Sequence, residues 1–224
     1  MKNAAIELNK TIVKCKLCPR LTKFRKKIIN NKRKKYQFEK YWGKPITGFG
    51  DISGKILFVG LAPAAHGGTR TGRVFTGDKS SDFLYKCLYK TKISNLSYSE
   101  HINDGLKLNN AFITTALKCV PPEDKPLKVE LDNCSKFFDK ELELLKNLKV
   151  IVALGKVAFD ACKYFYQKRI SLHKNVKFGH GKIFKLENGI SLVGCYHPSP
   201  RNVNTGRINK NKMVALFNKV KKLN

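Results

Sequence analysis

Acidic side chains are scarce in this chain. Sixteen Asp and Glu face forty-five Lys and Arg across 224 residues, which leaves a formal net charge of +29. Self-repulsion of that size calls for a polyanionic partner, and nucleic acid is the expected one. An anionic membrane ranks second, because no basic amphipathic helix with a clean apolar face stands out. Long apolar runs are missing too. No stretch approaches the roughly 20 residues that span a bilayer, and Met1 to Lys14 lacks a long apolar core with a cleavage site, so a cytoplasmic protein is expected. The chain has no internal repeat and no low-complexity linker, and a single domain over residues 1–224 follows. Two nucleotide signatures are also lacking. No G-x-x-x-x-G-K-[ST] occurs, and no G-x-G-x-x-G opens a helix after a strand, which excludes a P-loop and argues against a dinucleotide site.

What is present is the pattern of an α/β protein. Hydrophobic residues make up 42% of the chain, enough to exclude general disorder. The segments Lys55 to Gly60, Asn110 to Cys119 and Val150 to Gly155 read as strands, the last two buried, with "GKIFKL" and "ISLVGCYHPSP" supplying the last ones. Helices are expected around Ile6 to Val13, from a Ser80 or Ser81 cap through Leu88, over Val129 to Leu148, through Ala158 and Cys162, and in Arg207 to Leu223. "LTKFRKKIINNKRKKYQFEKYWGKP" is a basic stretch with interleaved aromatics. Strand and helix in alternation give a mainly parallel sheet, whose ligand site lies beyond the strands' carboxyl ends. "GLAPAAHGG" and "YHPSPRN" both leave strands there and should converge.

Seven cysteines in a cytosolic chain are not expected to pair as disulfides. Cys15 and Cys18 form a C-x-x-C, and Cys119 and Cys134 stand at a strand end and on a helix. Four thiolates suit either zinc or a [4Fe-4S] cluster, and spacing alone does not separate them. Cys134 on an apolar helix face could equally be an ordinary buried thiol, and that reading is preferred for Cys87, Cys162 and Cys195.

The loop "GLAPAAHGGTRTGRVFTGDKS" offers Phe75, able to stack on a planar base, and Asp78, the first carboxylate after the strand. His197 ends the last strand ahead of Pro198, in a loop whose Arg201 and Asn202 suit DNA phosphates. His66, His101, His173 and His180 read as structural.

"GLAPAAHGGTRTGRVFTGD", "HPSPRNVNTGR" and the four cysteines together resemble the B-type, or family five, uracil-DNA glycosylases, over nearly the whole chain from Cys15 to Arg207. The resemblance implies a three-layer α/β/α sandwich with a mainly parallel central sheet. It implies a [4Fe-4S] cluster on Cys15, Cys18, Cys119 and Cys134, and excision of uracil and other deaminated or modified bases from DNA. Asp78 would activate water, His197 would hydrogen-bond the departing base, and Phe75 would stack on it. The backbone at Gly60, Leu61 and Ala62 would shape the pocket, while Arg201, Asn202 and Arg207 would meet the DNA. DNA is thus the implied partner, a sliding clamp is kept as a candidate protein partner, and a monomer is expected.

Two departures within the wider superfamily matter. Leu61 stands where other members place Asp, Asn or Glu after the first motif glycine, which marks the B type. Thr115 stands where many relatives have an Asn that reads the uracil edge, and a hydroxyl there should relax base selectivity. The rival readings are the A-type, or family four, glycosylase and a non-catalytic, zinc-containing nucleic-acid-binding module.

Overall fold

The structure is a computed structural model that describes residues 2–167 and 176–223; His173 lies outside them. Helices α1 (Lys2–Lys14) and α2 (Pro19–Asn30) come first, and a short edge strand β1 (Phe49–Gly50) leads into β2 (Ile56–Gly60). Next are α3 (Gly68–Thr71), α4 (Lys79–Lys90), β3 (Ala111–Thr115), α5 (Lys128–Leu144), β4 (Val150–Leu154) and α6 (Lys156–Gln167). The chain closes with β5 (Ile183–Lys185), β6 (Ser191–Cys195), α7 (Pro200–Asn204) and α8 (Lys210–Lys221).

The six strands form one sheet in the order β1-β3-β2-β4-β6-β5. The four central strands are parallel, and β1 and β5 pair antiparallel at the two edges. Every residue of β2, β4 and β6 is buried, the signature of strands covered on both faces. Alternation divides their side chains between two cores. Phe58, Val152 and Val193 face α4 and α8, whereas Leu57, Val59, Ile151 and Leu192 face α5 and α6. This is the expected α/β/α sandwich.

Several boundaries differ from the sequence reading. The segment Asn110 to Cys119 leaves the sheet after Thr115 rather than continuing as a strand to Cys119, and α5 stops at Leu144. The basic stretch hides a full helix, α2, which starts on Pro19 at its first position and buries Leu21, Arg25 and Ile28. The cap of α4 is Asp78, not Ser80 or Ser81. Its carboxylate accepts from the Ser80 and Ser81 backbone N–H groups at 2.9 and 3.0 Å, and the Ser81 hydroxyl accepts from the Asp78 N–H.

Candidate active site

Because β2, β4 and β6 are neighbours and parallel, the loops that leave them emerge side by side. A cavity of about 480 Å³ opens there, lined by Leu61 to Ala64, Phe75, Asp78, Asp124, the Leu154 to Ala158 turn, His197, Ser199 and Arg201. Both expected loops converge on it. The turn after β4 and Asp124 also take part, and neither was anticipated. Asp124 sits in a loop where it and Glu123 hold φ of +55° and +56°, a left-handed pair of non-glycine residues of the kind that persists where surrounding structure demands it.

Close packing shapes the pocket floor. A Cβ on Gly60 would stand 2.7 Å from the Phe75 ring, so only glycine lets that ring lie over the strand end. Phe75 itself holds φ +47°. What keeps it there is a buried polar knot that the sequence reading missed. The Arg73 guanidinium donates to both Asp104 carboxylate oxygens, to Thr76 Oγ1 at 2.9 Å and to Ser99 Oγ at 2.8 Å, while Gly77 N–H donates to the Ser99 carbonyl at 2.8 Å. Although burial works against ionisation of Asp104, the Arg73 hydrogen bonds and two backbone N–H groups bring its carboxyl down to about 2.

Asp78 divides its two oxygens between tasks. Oδ1 caps α4, and Oδ2 overhangs Gly67, where any Cβ would collide with it at 2.1 Å. Burial raises the Asp78 carboxyl above the usual carboxylate range, against the pull of the two backbone donors. His197 lies across the pocket, its ring centroid 6.3 Å from that of Phe75. Gly155, at φ +104°, gives its Cβ room. Burial lowers the His197 imidazole, with Asp124 acting the other way, so the ring is neutral at pH 7 and can donate a hydrogen bond without carrying charge.

The remaining expected residues divide. Leu61, Ala62 and Arg201 line the cavity. Asn202 Nδ2 donates to the His197 carbonyl at 2.9 Å and so braces the histidine loop from within. Arg207 lies over the Tyr196 ring and borders an adjoining cavity of about 370 Å³. Thr115 is placed apart. It is 1% exposed, its hydroxyl donates to the Leu117 carbonyl at 2.7 Å, and it does not reach the cavity.

Cys134 stands on α5, and the other three cysteines come from two segments tied to that helix, the turn between α1 and α2 and the loop after β3. Cys15 follows α1, which packs on Phe137 of α5, and Cys18 caps α2. Arg20 clasps Glu130 through two 2.7 Å hydrogen bonds, and buried Lys118 binds Glu141 at 2.8 Å, which fixes the segments bearing Cys18 and Cys119 against the helix bearing Cys134. Burial pushes the Cys119 thiol up to about 11 and the Cys134 thiol up to about 12, against the pull of Arg25 on the first and Lys118 on the second, with smaller upward contributions from Cys15 and Cys18 on the first and from Cys119 and Cys18 on the second. Among the described residues, no three His, Cys, Asp or Glu side chains stand close enough to hold a single metal ion. Beside the thiols lies Arg25, buried and without a carboxylate partner among the described residues. It donates to Cys119 Sγ at 2.8 Å while its Nε–H has no partner.

A doubly covered parallel sheet whose strand-end loops enclose a cavity with a carboxylate, an imidazole and an aromatic ring at its carboxyl edge defines the class. The profile of the uracil DNA glycosylase superfamily matches residues 47–221, and the chain belongs to that superfamily. Within it, the chain is 39% identical over 218 residues to the type-5 uracil-DNA glycosylase of Mycobacterium leprae, covering 97% of this chain and 94% of that one. It is 40% identical over 197 residues to the type-5 enzyme of Pyrobaculum aerophilum, covering 88% and 83%. Its likeness to the type-4 uracil-DNA glycosylase of Archaeoglobus fulgidus is lower, 25% over 158 residues. The resemblance carried by the loop motifs is borne out.

Proposed function

We propose that this chain is a DNA-repair glycosylase that extrudes uracil from DNA and hydrolyses its N-glycosidic bond, leaving an abasic site. One observation carries the assignment of roles: Asp78, His197 and Phe75 line one cavity at the carboxyl edge of the sheet. The flipped base stacks on Phe75, with extrusion cheapest at mismatches such as those left by deamination. As the bond from C1′ to the base nitrogen breaks, its electron pair leaves with the base, and the sugar becomes positive. His197 donates a hydrogen bond to the base oxygen where negative charge gathers; loss of such a donor typically costs about 10²–10³ in rate. Ionised Asp78 offsets the sugar charge, orients water and takes its proton as oxygen bonds to C1′. Arg201 and Arg207 meet phosphates, with the residues after His197 entering the gap in the duplex.

Hypoxanthine, xanthine and modified pyrimidines belong to the same proposal. The wall from Leu61 to Ala64 offers backbone and small apolar groups, and no Asn or Gln is among the described residues lining the pocket, so little there rejects a different base edge. Cys15, Cys18, Cys119 and Cys134 are assigned to a [4Fe-4S] cluster that ties the amino-terminal helices to the core. Arg25 supports the fit, because a buried guanidinium without a carboxylate needs an anion beside it, and a thiolate-ligated cluster supplies negative charge. A monomeric state in the cytoplasm, one domain throughout, completes the reading. A panel of labelled duplexes carrying uracil, hypoxanthine, xanthine or a modified cytosine, cleaved with alkali after incubation, tests the activity. Abasic product from uracil is expected; none from any duplex defeats the reading. Iron and sulfide analysis with a visible absorption spectrum tests the cluster, and a colourless, zinc-loaded protein would overturn it.

A further inference from the structure

The segment from Lys32 to Lys44 takes no part in the pocket, yet it is built rather than loose. Its Trp42 and Gly43 N–H groups donate to the Arg70 and Thr69 carbonyls at 2.8 and 3.0 Å, and Tyr41 Oη lies 2.9 Å from His66 Nδ1. Glu39, the sole carboxylate in the segment, is taken up by Arg70, and Lys32 Nζ closes the turn on the Glu39 carbonyl at 2.7 Å. Arg70 also donates to the Gly77 carbonyl at 3.0 Å, one residue before Asp78. The segment is therefore fixed to the loop that carries the pocket floor.

Its four aromatic rings are not equivalent. Tyr41 is buried against Ile28 and Val120. Tyr36 lies beneath the Arg70 guanidinium at 4.1 Å, and Trp42 packs over Gly72 with Lys44 Nζ 5.3 Å from its ring centre. Phe38 alone stands free, 93% exposed, in a segment whose Lys34, Lys35 and Lys40 are exposed too, with Lys35 Nζ 5.4 Å from the Tyr36 ring centre. An apolar ring offered to water amid uncompensated ammonium groups matches the recurring chemistry of single-strand binding: cations follow the phosphates, and a free aromatic face receives an unpaired base. A paired base inside a duplex is already stacked and offers no face to it.

We infer that residues 32–44 form a platform for unpaired DNA flanking the target nucleotide, with Phe38 stacking on a base and Lys34, Lys35 and Lys40 on phosphates. The inference rests on DNA being the substrate and extends the binding surface beyond the pocket. The platform favours lesions in single strands, bubbles and frayed ends over those in fully paired duplex.

Fluorescence anisotropy with uracil-free single-stranded and duplex oligonucleotides over a range of salt tests it, using Phe38→Ala and a Lys34→Ser/Lys35→Ser/Lys40→Ser variant. These exposed changes leave the core untouched. Phe38→Ala should weaken single-strand binding roughly tenfold and duplex binding far less. The lysine variant should reduce the slope of log affinity against log salt for single strands by about 2, at roughly 0.7 per lost phosphate contact. Single-strand affinity within twofold of wild type for Phe38→Ala, or equal losses on both DNA forms, would overturn the platform. Uracil release by the wild type is measured on the same sequences carrying uracil. Its absence defeats the enzyme reading, whereas intact release with unaltered Phe38→Ala binding defeats the platform alone.

Discussion

Asp78 serves two purposes that physical chemistry sets at odds. A helix N-cap favours an ionised carboxylate, through the exposed backbone donors and the positive end of the helix dipole, whereas burial in an apolar pocket favours the acid. Burial prevails, and the carboxyl is raised. The folded protein thus holds this proton more tightly than the unfolded chain does. This residue's contribution to stability is therefore best at low pH and declines as pH rises from the ordinary carboxylate value of about 3.9 through the raised one. Catalysis runs the opposite way, since Asp78 must be ionised to accept a proton. The single-turnover rate of excision should fall on the acid side through a value above the ordinary carboxylate range, and the residual activity of Asp78→Asn should lack that limb; a wild-type profile flat down to pH 4 would exclude Asp78 as base. Burial lowers the His197 imidazole as well, with Asp124 acting the other way. Phe75 and Asp78 were legible as the aromatic and the first carboxylate of the glycine-rich loop that follows β2, and His197 as the residue beyond β6 that precedes a proline. Asp124 was not: nothing in "PPEDKP" says which surface its loop will overhang, a matter settled by tertiary packing.

At the scale of elements, the pocket depends on a loop held in an unfavourable backbone. Phe75 at φ +47° and Gly77 at φ +75° keep their places because Arg73 locks onto Asp104, Ser99 and Thr76. Removing one partner of a buried ion pair leaves the other charge uncompensated, at a cost of about 3–5 kcal/mol. Asp104→Ala should lower unfolding free energy in urea by that amount, and should slow excision through misplaced Phe75 and Asp78. A urea midpoint unchanged from wild type would remove the knot from its role. Because Asp104 is depressed to about 2, its stabilisation is complete above the ordinary carboxylate value and is lost only as pH falls towards 2. Strands β2, β4 and β6 announced themselves as uninterrupted apolar runs, which only a doubly covered sheet can bury. Helix α2 did not, because lysines crowd its periodicity and one inward position is Arg25, whose burial makes sense only beside the cysteines. The Arg73–Asp104 pair spans 31 residues of sequence, and no local pattern links the two.

Across the whole molecule, the charge of +29 and the architecture point to one use. Parallel neighbouring strands deliver three loops to one edge, the pocket opens there, and the Lys32 to Lys44 segment is fastened to the same loop through Arg70. Two buried or half-buried ion pairs bind the segments bearing Cys18 and Cys119 to α5, so the amino-terminal helices are part of the same framework. The balance of charge and the order of elements were readable from composition and periodicity. The fastening of the segments that carry Cys18 and Cys119 to the helix that carries Cys134 rests on pairs such as Arg20 with Glu130, separated by 110 residues, and could not be read that way. The claim that binds these levels together is that the cavity holds an extruded uracil for attack by water activated at Asp78. Single-turnover excision of uracil from a labelled duplex, by wild type and by Asp78→Asn in parallel with their thermal melts, tests it most directly. Asn retains the helix cap, so the two proteins should melt alike while the variant excises about 10²–10⁴ times more slowly. A variant that melts alike and releases uracil at the wild-type rate would contradict the account.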